Sequence, residues 1–78
     1  MDIKIVKMVH QSIATVIKTY GFSGDIMVNL LYEKAINNHY IGVYYFMHED
    51  EMYHIIAVYM DDELDISLNN EIAKTIVK

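Results

Sequence analysis

Between Ile3 and Tyr20 the apolar residues Val6, Val9, Ile13, Val16, Ile17 and Tyr20 recur at three- and four-residue steps. Lys4, Lys7, Gln11, Thr15 and Lys18 fall between them. This period predicts an amphipathic helix with one buried stripe. Gly21 follows the last apolar position and can adopt the left-handed conformation that closes helices, so Gly21-Phe22-Ser23-Gly24 is expected to turn.

After Tyr40 the period changes. Two runs rich in aromatic and β-branched residues, Tyr40 to Met47 and Met52 to Met60, flank Glu49-Asp50-Glu51. They predict two strands joined by a three-residue loop. Residues 25–36 carry both periods: Asp25, Asn29, Glu33 and Asn37 recur every four residues, while Ile26, Val28, Leu30 and Tyr32 alternate. The alternation favours a strand, with a helix as the alternative. A two-residue turn at Asn37-Asn38 then pairs Tyr32 with Val43, Leu30 with Tyr45 and Val28 with Met47. The same register carried across the second hairpin adds Tyr53, Ile55, Ala57 and Tyr59 to that face, for the helix to cover.

Ser67 is expected to cap a second helix running to the C-terminus. Leu68, Ile72 and Ile76 are in line there, and Lys74 and Lys78 lie toward the negative end of its dipole. The expected fold is α+β: N-terminal helix, three-stranded antiparallel meander and C-terminal helix (αβββα), or ααββα if residues 25–36 are helical. The other sheet face, with Leu31, Tyr44, Phe46, Ile56, Val58 and Met60 beside His48 and His54, is more apolar than contact with water requires. Either the second helix or another protein is expected to cover it.

The 78 residues, 54% apolar and 22% charged, suit one domain spanning 1–78 with a small core, and are too hydrophobic for disorder. Cysteine is absent, which excludes disulfides, thiolate zinc sites and thiol nucleophiles and favours a cytoplasmic setting. No stretch approaches the roughly 20 apolar residues that span a bilayer. All six basic residues are lysines and the net charge is −5, so direct binding of nucleic acid is disfavoured.

Charge is unevenly spread. Seven of the eleven carboxylates lie between Glu49 and Asp65, in two knots: Glu49-Asp50-Glu51 and Asp61-Asp62-Glu63-Leu64-Asp65. On a meander these occupy the two ends of the third strand, about 27 Å apart at ~3.3 Å per residue, too far for shared chemistry. As a functional surface, Glu49, Asp50, Glu51, Asp61, Asp62, Glu63 and Asp65 would stand in for phosphates against a basic groove of a protein partner. As ordinary surface, they would provide solubility and block edge pairing.

Asp61, Asp62, Glu63 and Asp65 are hard oxygen ligands, but the calcium-loop glycine and distal glutamate are missing. His48, Glu49, Glu51 and His54 at the hairpin tip match no zinc spacing. The four histidines offer a pH response, and no serine or glycine pattern marks a nucleophile or phosphate loop. Of the crowded tyrosines, Tyr45 and Tyr53 are expected inside and Tyr44 at a partner surface.

The expected function is therefore non-enzymatic, with no cofactor: a stoichiometric inhibitor or regulator that engages a basic, nucleic-acid-binding site of a protein. Anti-CRISPR and anti-restriction proteins and immunity proteins for nuclease toxins share this profile of size and charge. The alternative is a homodimerisation module whose acidic loops only solubilise it.

Overall fold

The structure, a computed structural model, describes residues 3–69. Helix α1 spans Ile3–Thr19; strands β1 (Asn29–Ile36), β2 (His39–His48), β3 (Glu51–Met60) and β4 (Glu63–Asn69) follow. The strands form one antiparallel sheet in chain order, and α1 crosses one face of it, nearest β4.

The period of α1 decides which residues it buries: Val9, Ile13 and Ile17 form the stripe against the sheet. Its end is a Schellman motif. Gly21 takes φ 87°, its N–H donates to the Lys18 carbonyl at 3.0 Å, and the Phe22 N–H donates to the Ile17 carbonyl at 3.3 Å. The motif turns Phe22 down onto the sheet, where its ring stands edge-on to Phe46, His48 and Tyr53 at centroid separations of 5.2, 4.9 and 4.8 Å.

All three hairpins close with two-residue turns: the flanking pairs are Ile36 with His39, His48 with Glu51, and Met60 with Glu63. In the second and third turns both central residues, Glu49-Asp50 and Asp61-Asp62, have positive φ. This is the mirror-image turn geometry that matches the twist of paired strands.

The expected αβββα fold is corrected, as is its ααββα alternative. Residues 29–36 are a strand, and the sheet has a fourth strand where a loop and a helix cap were expected. Ser67 lies within β4 opposite Ile56, in a strand and not at a helix start. The rest of the expected second helix, from residue 70 onward, lies outside the described residues.

Register is corrected too. Glu51 belongs to β3 and pairs with His48, so the loop is one residue shorter than expected. A one-residue slip moves every side chain of a strand to the opposite face. Tyr40, Tyr44 and Phe46 therefore share the covered face with Ile55 and Ala57, while Val43, Tyr45 and Met47 lie on the other. In the first hairpin Tyr32 pairs with Val43 as expected, but a bulge at Leu31 sets Leu30 opposite Tyr44 instead of Tyr45. The core between α1 and the sheet holds Val9, Ile13, Ile17, Tyr40, Tyr44, Phe46, Ile55 and Ala57. Leu64, Ile66 and Leu68 flank it from β4.

Candidate interaction surface

The structure divides the seven carboxylates among three places. Glu49 and Asp50 form the β2–β3 turn, with Glu51 opening β3; Asp61 and Asp62 form the β3–β4 turn; Glu63 and Asp65 lie along β4. All seven are exposed. A tyrosine of β3 bonds a carboxylate at each end of the strand: the Tyr53 hydroxyl donates to Glu51 Oε2 at 3.3 Å, and the Tyr59 hydroxyl donates to Asp62 Oδ1, in the turn, at 3.2 Å. The ends of β3 are roughly 30 Å apart at ~3.3 Å per residue, so the two turns are separate sites.

Pairing also separates the candidate metal ligands. His48 lies on the covered face, beside Phe22, whereas His54 lies on the opposite face, paired with Tyr45 and Asn69. Among the described residues no three histidine, aspartate or glutamate side chains gather as a metal site.

Tyr44 is not on the surface. It is 4% exposed, its hydroxyl shares a short hydrogen bond with that of Tyr40, and His10 of α1 stands edge-on to its ring at 6.1 Å. Burial pushes the Tyr40 hydroxyl well above the usual phenol range, and the hydrogen bond to Tyr44 and the charge of Glu33 push it further. Burial likewise raises Tyr44, partly offset by the bond to Tyr40. Both rings fold over Gly42, where a Cβ would come within 2.5 Å of the Tyr40 hydroxyl and 2.8 Å of the Tyr44 ring. The pair seals the core.

Because α1 lies toward β4, the β1 side of the covered face is left as a cleft of about 740 Å³. Its walls are Val6, Ile13 and Ile17 against Ile26, Val28 and Leu30.

A second apolar feature is on the opposite face, which no described element covers. Ile41, Val43, Tyr45, Ile56 and Val58 form its centre, and Tyr32, Ile36, Met47, Met52 and Met60 surround them at 40–53% exposure. Sequence patterning assigned Tyr45 to the interior and missed β4 as the acidic border of this face. The alternation in Glu63-Leu64-Asp65-Ile66-Ser67-Leu68-Asn69 is the signal that reveals β4.

No described helix is long and apolar enough to cross a membrane. Comparison with protein-family models, with curated proteins and with solved structures finds no match to this chain.

Proposed function

We propose that this chain is a non-enzymatic protein-binding domain, a stoichiometric inhibitor or regulator whose carboxylate turns occupy a basic, nucleic-acid-binding surface of a partner protein. The observation that carries this reading is the position of the charge. Glu49-Asp50 and Asp61-Asp62 project at opposite ends of β3 from tight turns, with Tyr53 bonded to Glu51 beside the first and Tyr59 bonded to Asp62 within the second.

Carboxylates on rigid turns need little ordering on binding, and their like charges form a field complementary to a basic groove. Their roughly 30 Å separation approaches the ~34 Å of one duplex turn, so both knots can meet phosphate sites of one groove. The backbone supports the same reading: both residues of each turn hold a left-handed conformation for which asparagine and glycine are better suited.

Retention of a nucleic-acid-binding protein from a lysate tests this. The retained protein is expected to leave at high salt or when duplex DNA is added. A chain carrying Glu49→Gln, Asp50→Asn, Asp61→Asn and Asp62→Asn is expected to retain none of it. Equal retention by that chain would remove the reading.

A further inference from the structure

The sheet face that no described element covers has an order that its apolar content alone does not require. Strand pairing sets its residues in rows across the four strands. One row runs Lys34, Ile41, Val58, Asp65; the next runs Tyr32, Val43, Ile56, Ser67. Outside them lie Ile36, His39, Met60, Glu63 on one side, and Tyr45, His54, Asn69 on the other. Each inner row is apolar in the middle, and the first carries opposite charges at its two ends.

We propose that a second copy of this chain covers this face, related by a two-fold axis that runs parallel to the strands midway between β2 and β3. Such an axis lays β1 of one copy over β4 of the other and reverses each row upon itself. Lys34 then meets Asp65 of the second copy at both ends of the interface, Ile41 meets Val58, and Val43 meets Ile56. Tyr45 of the second copy then falls at the His54 end of the face.

Aligned sheets pack at roughly 30° to one another, which displaces the outer strands by about one residue, within reach of a lysine side chain. An axis across the strands instead lays β4 over β4. It gathers Glu63 and Asp65 with their own copies and leaves Lys34 facing β1, so charge selects the first arrangement.

The area suits a weak, reversible dimer. Four strands at ~4.8 Å spacing and about seven residues of length give a face of roughly 19 by 23 Å. With side-chain relief this amounts to about 600 Å² per copy, the lower end of stable interfaces. The proposal is independent of the inhibitor reading, because the turn carboxylates 49, 50, 61 and 62 lie at the ends of β3, off the apolar rows.

Sedimentation equilibrium of the full chain, from low to high micromolar concentration, tests it. The chain is expected to reach twice its monomer mass. Lys34→Asp alone and Asp65→Lys alone are each expected to weaken the dimer about tenfold, since each places like charges at both ends of the interface. An equimolar mixture of the two variants is expected to recover wild-type affinity as a mixed dimer, a result that misfolding of either variant cannot produce. Ile41→Glu is expected to leave a monomer with an unchanged far-UV circular dichroism spectrum.

A monomer at high micromolar concentration overturns the proposal and leaves the face to a different protein or to another segment of the same chain. A dimer that ignores the charge exchange and Ile41→Glu also overturns it, in favour of pairing through a sheet edge.

Discussion

Glu49 and Asp50 hold φ values of 51° and 65°, and Asp61 and Asp62 hold 53° and 62°, a region that non-glycine residues enter at a cost of order 1 kcal/mol each. Replacing Glu49-Asp50 with Asn-Gly is therefore expected to raise stability by about 1 kcal/mol, seen as a higher urea midpoint at unchanged slope. If the same change also abolishes partner retention, the acids are kept at the expense of stability, as a binding role requires. Gly42 has the opposite character. A methyl group there meets the buried Tyr40 hydroxyl and Tyr44 ring, so Gly42→Ala is expected to destabilise by about 1–3 kcal/mol in the same measurement. The tyrosine pair also sets a pH limit. Its folded pKa values lie above the ordinary phenol value of 10.0, so the fold holds protons that the unfolded chain releases. The stability this represents is fully present below pH 10 and falls as pH rises past it. Urea midpoints are expected to drop above pH 10 and to drop less steeply in Tyr40→Phe.

Among the elements, α1 is fastened by its C-terminal end. Phe22, delivered by the Schellman motif, stands edge-on against both Phe46 and Tyr53, which themselves stack at 5.3 Å. Phe22→Ala is expected to cost about 2–3 kcal/mol by urea denaturation, below a full-core phenylalanine because the ring is half-buried. α1 and its glycine stop were legible in the sequence because a 3.6-residue period over five turns has no competing explanation. The β2–β3 hairpin was legible because its runs are strongly aromatic and β-branched. β4 was not recognised, because Glu63, Asp65 and Asn69 are poor strand formers and Ser67 resembles a helix cap. Its strict alternation, with Leu64, Ile66 and Leu68 on one side, was the stronger signal. The faces of β2 were reversed for a smaller reason. Glutamate is rare at positive φ, so Glu49-Asp50 did not resemble a two-residue turn, and one extra loop residue sent Tyr44 outward and Tyr45 inward. The bulge at Leu31 has no sequence mark at all. The acidic ends of β3 could thus be located from the sequence, whereas the make-up of the face opposite α1 depended on turn length, which sequence specifies weakly here.

At the scale of the whole molecule, the two proposed interactions respond to salt with opposite sign. A negative chain on a basic groove is held by attraction, and added salt weakens it. Two copies of a chain with net charge −5 repel at long range, while their contact is apolar over most of its area. Screening that repulsion is expected to tighten the dimer, with only the two Lys34–Asp65 pairs opposing the trend. Dimerisation also bears on stability, since one helix on one sheet buries a small core, and Ile41, Met47, Met52 and Met60 are partly exposed. Mass action then makes the thermal midpoint depend on protein concentration. The midpoint is expected to rise with concentration at fixed salt, and with moderate salt at fixed concentration, and to do neither in Ile41→Glu. A midpoint that stays constant across a hundredfold range of concentration would show that the fold is complete without a second copy.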